Sequence, residues 1–278
     1  MTGTSVAQAL DSAVVAIKAA GCATPRLDAE VLLAHVLGVS RERLLIDREL
    51  TVRGDAVQAF QGAVRRRAVQ REPVAYITGR KGFRHIELAV DARALIPRPE
   101  TELLVELALA LAPRARVLDL CTGSGAVALA LKQERADLLV SASDISPAAL
   151  ELARANGARL GLEVRWLQSD LLALVPDDID AVVCNPPYVA TAQRGELEPE
   201  ITRHEPPLAL FCSDDGLELI TRLIGQLAGR ERVGWVAIEV GQGQAPRVAA
   251  LARAAGFERV SAHPDLAGIE RVVLAQRG

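Results

Sequence analysis

Asn185-Pro186-Pro187-Tyr188, directly after the apolar run Ala181-Val182-Val183-Cys184, sets two carbonyl oxygens and a flat ring within four residues. An amide or aromatic amino nitrogen is a poor nucleophile because its lone pair is delocalised, and ordinary side-chain bases cannot remove its proton near neutral pH. A pair of acceptors can help instead. The Asn185 side-chain oxygen and the carbonyl of Pro186 would bind both N–H groups and aim the lone pair at an electrophile. Pro186 fixes its own φ, Pro187 pushes Pro186 towards an extended shape, and neither ring supplies a competing N–H. Tyr188 adds a wall for a flat substrate. The chemistry that fits is methylation of a planar nitrogen. Asn-Pro is also ordinary turn chemistry, so the same residues would serve merely to end a strand.

A second constellation is the turn Asp119-Leu120-Cys121-Thr122-Gly123-Ser124-Gly125. Its glycines let a backbone approach a ligand closely, and the open N–H groups of a following helix attract polar groups. Asp144 stands about 20 residues on, at the end of the next strand, where a carboxylate can accept both hydroxyls of a ribose. A helix N-cap before Ser146-Pro147 is the competing role for Asp144. The full Gly-x-Gly-x-x-Gly is absent, so a nucleoside without phosphates fits better than a dinucleotide. Asp170, after the third strand, is placed either to receive an adenine amino group or to cap a helix.

These residues need elements to position them. Residues 1 to about 75 read as helical, with apolar positions Leu10, Val14 and Ile17, then Leu27, Val31 and Ala34, at helix spacing. Gly21 and Gly38 suit helix ends, Thr24-Pro25 and Ser40 helix starts, and a further amphipathic helix is expected from about Asp55 to Gln70. Between 77 and 96, Phe83 to Val90 alternates as a hairpin strand bounded by Gly82 and Asp91. From residue 97 the pattern becomes strand, helix, strand, helix, which predicts a parallel α/β sheet. Strands are expected at 116–120, 138–143, 164–167, 181–184, 235–240, 257–262 and 271–275, the last two as an antiparallel pair closing one edge. The predicted division is thus 1–76 helical bundle, 77–96 hairpin connector and 97–278 α/β domain.

Composition narrows the partners. Half the residues are hydrophobic but only 3% are aromatic, so the core must be aliphatic. A net charge of −3 argues against direct nucleic-acid binding, which needs a concentrated basic surface. The one dense basic cluster, Arg65-Arg66-Arg67 with Arg71, reads as a solvated helix end. Four dispersed cysteines and four dispersed histidines predict neither disulfides nor zinc, and no metal is expected. No apolar run approaches the ~20 residues that cross a bilayer. The start Met1-Thr2-Gly3-Thr4 lacks the pattern of a signal peptide, so a cytoplasmic protein with no membrane partner is expected.

Together with Ile96-Pro97-Arg98-Pro99-Glu100-Thr101-Glu102, Ser143-Asp144-Ile145-Ser146 and Ser169-Asp170, these motifs resemble the class I S-adenosylmethionine-dependent methyltransferases. Within them the chain resembles the peptide chain release factor glutamine N5-methyltransferases of the HemK type, over nearly its whole length. The resemblance implies a Rossmann-like α/β fold, a seven-stranded methyltransferase sheet with an N-terminal all-α helical bundle. It implies S-adenosyl-L-methionine as cofactor, lined by Cys121, Thr122, Gly123, Ser124 and Gly125, with Asp144 on the ribose and Asp170 and Leu171 flanking the adenine. Asn185 would touch both cofactor and substrate, Pro186 would accept the second amide proton, and Pro187 and Tyr188 would complete the substrate wall. The implied partner is the Gly-Gly-Gln loop of a bacterial release factor.

Two residues depart from the family pattern: Cys121 stands where glycine is common, and Leu171 where an aromatic is. Pro99 and Glu100 are expected only as neighbours of the cleft, and the long loop Thr191 to Ser213 as a shaper of the substrate channel. His204, within it, is expected to pack or face solvent, since the chemistry needs no base. Two rival readings share these motifs. One is an adenine N6-methyltransferase acting on a flipped base of DNA or RNA. The other is a non-catalytic S-adenosylmethionine-binding regulator.

Overall fold

The computed structural model describes residues 4–47, 50–213 and 215–278, in two compact units. The opening residues Met1 to Gly3, used above to argue against a signal peptide, lie outside the described residues.

One unit comprises residues 1–80 and 198–204. A two-residue strand β1 (Thr4–Ser5) leads into α1 (Val6–Ala19), followed by α2 (Pro25–Leu37), α3 (Arg41–Ile46), strand β2 (Thr51–Val52), α4 (Asp55–Ala68) and α5 (Val74–Thr78). The β1–β2 pair is antiparallel and was not anticipated. Local chemistry sets the helix ends. Ser5 and Gln8 form a reciprocal capping box on α1, Pro25 takes the first turn of α2, and Gly38 ends α2 in the left-handed region at φ 64°. The core gathers Leu10, Ile17, Leu32, Leu33, Leu44 and Phe60. In α2 the buried positions are Ala29, Leu32, Leu33 and Ala34, together with Asp28 and Glu30; of the residues read as its apolar face Ala34 is buried, Val31 half-buried and Leu27 exposed. The apolar face read from Leu27 and Val31 is therefore rotated, because two carboxylates take inward positions.

One of those carboxylates, Asp28, also corrects the reading of the basic cluster. Arg67 is buried, donating from Nε to Asp28 Oδ2 at 2.6 Å and from Nη2 to Glu200 Oε1 at 3.0 Å. Arg66 is chelated by Glu72, and Arg71 reaches Glu200 Oε2 at 2.5 Å and the Ala20 carbonyl at 2.7 Å. Internal pairing, rather than solvation, occupies the guanidinia of Arg66, Arg67 and Arg71, while Arg65 is exposed as expected of a solvated helix end.

In the other unit, which begins at Lys81, β3 (Arg80–Phe83, all but its first residue) and β4 (Ile86–Ala89) form a two-stranded sheet. The alternation expected as one strand over 83–90 is broken at Arg84, which sits at φ 47°. Then come a 3-10 turn at Pro99–Thr101, α6 (Glu102–Ala108), β5 (Arg116–Leu120), α7 (Ala126–Glu134), β6 (Leu139–Asp144), α8 (Pro147–Leu160), β7 (Arg165–Gln168) and β8 (Ala181–Cys184). The loop after β8 is folded, with 3-10 turns at Thr191–Glu196 and Pro207–Ala209 around α9 (Pro199–His204), which groups with the helical unit. The chain ends with α10 (Glu218–Ala228), β9 (Trp235–Glu239), α11 (Ala245–Ala254), β10 (Arg259–Pro264) and β11 (Glu270–Gln276).

The seven-stranded sheet has the order β10-β11-β9-β8-β5-β6-β7. Strands β9, β8, β5, β6 and β7 run parallel, and β11 enters antiparallel between β9 and β10, as expected of the last two strands. Strands β8 and β9 are buried at every position, which is why they read as continuous apolar runs. From β5 the chain builds outward through β6 and β7, then returns to place β8 on the opposite side of β5. That reversal opens a crevice beyond the carboxyl ends of β5 and β8, where α/β sheets bind ligands. Among the described residues no helix is long and apolar enough to cross a membrane.

Candidate functional site

A cavity of about 300 Å³ lies in this crevice. Its lining includes Cys121, Thr122, Gly123 and Ser124 from the turn after β5, Asp144 at the end of β6, Asp170 and Leu171 after β7, and Asn185 and Pro187 after β8. Residues expected from four separated stretches thus meet in one cavity. Gly125, Pro186 and Tyr188 fall outside the lining. At Gly125, φ is 85° and a Cβ would press on Leu129, Trp166 and Ala153 at 3.1–3.3 Å, so this glycine is needed for packing of α7.

The turn is held by two carboxylates. Asp119 accepts from the Thr122 hydroxyl at 2.6 Å and from the Ala128 N–H at 3.1 Å. Complete burial pushes its carboxyl up to about 7, while those two donors draw it back. Asp144 accepts from Gly123 N–H through Oδ2 and from Ser146 N–H through Oδ1, both at 2.9 Å. The N-cap of α8 is Ser146, not Asp144, so the carboxylate instead ties the turn to β6. Burial raises the Asp144 carboxyl, opposed by backbone amides. Cys121 takes φ 57° and Leu171 φ 49°, left-handed backbone in which glycine meets the least strain. Asp170 caps no helix; it pairs at 2.7 Å with Arg222, another cavity residue.

Asn185 follows the last residue of β8 and donates from Nδ2 to Thr101 Oγ1 at 3.1 Å. No described residue engages its Oδ1. Tyr188 donates its hydroxyl to Glu239 Oε1 at 3.1 Å, and its carbonyl accepts from Gln244 Nε2 at 3.1 Å. Burial and the adjacent carboxylate raise the phenol far above its usual range, so it remains a donor.

Several participants escaped sequence reasoning. Thr101 lines the cavity, whereas Pro99 and Glu100 do not. Glu205, buried, accepts from the Ile96 N–H at 3.0 Å and pairs with Arg98, pinning the Ile96–Glu102 segment. Asn156, fully buried, bonds Ala89 and the Ser124 carbonyl, joining the hairpin to the glycine turn. Neither Glu205 nor Asn156 carries a local signal, because their partners lie far away in sequence. From the long loop, Pro206, Leu208 and Ala209 reach the cavity, while His204 lies 2.8 Å from the Gln70 carbonyl.

This geometry can be set beside known proteins. Residues 8–79 match the PrmC N-terminal domain family and residues 99–203 the Methyltransferase small domain family. A release factor glutamine methyltransferase of Deinococcus radiodurans is 40% identical over 272 residues, 96% of this chain and 97% of that protein. The chain belongs to the release factor glutamine methyltransferase family. Its relative of the same description from Mycolicibacterium smegmatis is 41% identical over 281 residues, covering 99% and 98%. Among solved structures, the hMettl16 catalytic domain in complex with a MAT2A 3'UTR hairpin aligns with TM-score 0.55 at 18% identity, over 80% of this chain and 81% of that one. A Pyrococcus furiosus methyltransferase gives TM-score 0.52 at 16% identity, covering 69% and 88%. These two likenesses are of fold alone.

In this family member, one glycine guards the Tyr188 segment. Gly216 lies at φ 72°, and a Cβ there would stand 2.2 Å from the Tyr188 carbonyl oxygen. Gly243, at φ 83°, has nothing within 4 Å. Gly216→Ala is therefore expected to destabilise by about 2–3 kcal/mol and Gly243→Ala by about 1 kcal/mol. Urea unfolding of both variants separates collision from backbone strain; equal losses would mean that the contact relaxes freely.

Proposed function

We propose that this chain transfers a methyl group from S-adenosyl-L-methionine to the side-chain amide nitrogen (N5) of the glutamine in the Gly-Gly-Gln loop of bacterial release factors. The observation that carries the reading is Asn185: its amide is anchored through nitrogen on Thr101, while its oxygen is left unengaged in the cavity that the glycine turn also lines. The chain's relatives along its full length bear the corresponding name.

The cavity suits the proposed cofactor. Ser143 Oγ, in the lining, is buried without a hydrogen-bond partner, as a polar ligand would require. When bound, S-adenosyl-L-methionine supplies a methyl group made electrophilic by its sulfonium. In this reading Cys121, Thr122, Gly123, Ser124 and Gly125 form the turn that receives it, Asp144 accepts from the ribose hydroxyls, and Asp170 and Leu171 border the adenine. Asn185 Oδ1 and the Pro186 carbonyl accept the two N–H groups of the glutamine amide. They hold its plane for in-line attack and stabilise positive charge developing on nitrogen. Pro187 keeps Pro186 extended, and Tyr188 walls the substrate side chain. The proton leaves to solvent, so no side-chain base is required.

The test is incubation of the protein with methyl-labelled S-adenosylmethionine, a release factor, the same factor with its loop glutamine replaced by alanine, and nucleic acid. Label is expected on the intact factor alone. Label on adenine would transfer the same acceptor pair to a flipped base, and no label on any would leave a cofactor-binding regulator.

A further inference from the structure

Glu239, the last residue of β9, is 1% exposed, and the proposed chemistry makes no use of it. Its Oε1 accepts the Tyr188 hydroxyl, but its Oε2 has no hydrogen-bond partner. A buried acceptor of this kind needs an explanation. Nearby is a matching deficit. Thr101 is 4% exposed, and its hydroxyl accepts from Asn185 Nδ2, yet it donates to none of the described residues. The two unmet halves belong to neighbours: Ile238 pairs with Cys184 across β9 and β8, which sets Glu239 beside Asn185 and its partner Thr101, and burial pushes the Glu239 carboxyl up to about 7 while the Thr101 and Tyr188 hydroxyls oppose that rise.

We propose that Glu239 is a positioning residue: as an acceptor it draws the hydroxyl hydrogens of Thr101 and Tyr188 towards itself, and thereby dictates which end of the Asn185 amide faces the substrate. A hydroxyl has one hydrogen and two acceptor sites, whereas Glu239, ionised above about pH 7, can then only accept. With the Thr101 hydrogen committed to Glu239, only lone pairs remain for Asn185, which must turn its NH2 group to Thr101. Its Oδ1 then faces the cavity. Were the Thr101 hydrogen free, it could donate to Oδ1 instead, and the amide would flip. An NH2 group would then confront the two N–H groups that need acceptors. The Ile96–Glu102 segment acquires a physical purpose here. Glu205 pins its start, and the 3-10 turn at Pro99–Thr101 delivers Thr101 between Asn185 and Glu239.

This inference rests on the reading of Asn185 Oδ1 as substrate acceptor, and the variants are chosen to separate the two. Glu239→Gln replaces an acceptor with a group that can also donate, and Thr101→Val removes the hydroxyl at nearly constant shape. Each is expected to lower kcat by about 10- to 100-fold, while KM for the release factor and Kd for S-adenosylmethionine stay within about threefold. Thr101→Ser should recover most of the turnover lost in Thr101→Val. The double variant should be little worse than either single one, because one chain is cut twice. Thermal unfolding accompanies each measurement, and Thr101→Val carries the test if Glu239→Gln is unfolded. Full turnover in folded Glu239→Gln and Thr101→Val, with Asn185→Ala impaired, overturns this inference and leaves the acceptor reading intact. Full turnover in Asn185→Ala removes the acceptor reading itself, and this inference with it.

Discussion

Asn185→Ala should depress methyl transfer by about 100- to 1000-fold in kcat while changing S-adenosylmethionine affinity by no more than a few-fold. The expectation follows from where the residue stands. It follows directly on β8, buried at all four positions, so its Cα is set by a rigid strand rather than a loose loop. Its side chain is held through nitrogen by Thr101, which leaves the oxygen pre-aimed and costs no reorganisation during the reaction. An acceptor fixed in this way acts chiefly on charge that develops as nitrogen is alkylated, so its removal appears in turnover. The cofactor contacts proposed above would be spread over the turn after β5, the end of β6 and the residues after β7, all of which line the cavity, and would survive the truncation. Steady-state kinetics with release factor, alongside calorimetric titration of the cofactor, make the comparison. Parallel losses in kcat and cofactor affinity would assign Asn185 to cofactor binding alone.

Much of this arrangement was legible in the chain. An interior parallel strand such as β8 announces itself as a short apolar run, and the turns at the carboxyl ends of such strands carry polar and glycine residues. The seven strands and the closing antiparallel pair follow from such runs. What escaped depends on distance or on unread periodicity. Helix α10 has Ile220, Leu223, Ile224 and Leu227 at helix spacing and all buried, a signal present but hidden by the preceding loop. Arg84 splits the expected strand into two by a turn at a positive φ that no residue type there advertises, since the apolar alternation runs through it. Thr101 and Glu239 look like a helix-start hydroxyl and a strand-end carboxylate. Glu239 comes beside Asn185 because β9 pairs in parallel with β8, Ile238 opposite Cys184, and Thr101 meets Asn185 across 84 residues of chain, so their part in the site is a property of topology. The basic cluster near residue 67 failed for the same reason: Asp28 and Glu200, its partners, are remote in sequence.

That cluster yields the second large effect, on stability. Arg67→Met should destabilise the helical unit by about 3–5 kcal/mol, because it leaves buried carboxylates without their cation. The Arg67 and Asp28 side chains are each 7% exposed, so water cannot substitute for the lost partner. Converting both partners, as Arg67→Met with Asp28→Leu, should recover much of the loss, since desolvated charge rather than packing is the dominant penalty. Burial alone would raise the Glu200 carboxyl, but its backbone amide and the Arg67 and Arg71 guanidinia outweigh this and hold it below the ordinary value of 4.5. A depressed folded-state value means that Glu200 stabilises fully above that ordinary value and loses its contribution as pH falls through the lowered one. The difference between wild type and Arg67→Met should therefore be widest near neutrality and narrow in acid. Both tryptophans, Trp166 and Trp235, belong to the α/β unit, so their fluorescence follows that unit alone. Far-ultraviolet circular dichroism of the full chain in urea reports the helical unit as well. A wild-type dichroism midpoint in Arg67→Met at neutral pH would show that the network contributes no net stability.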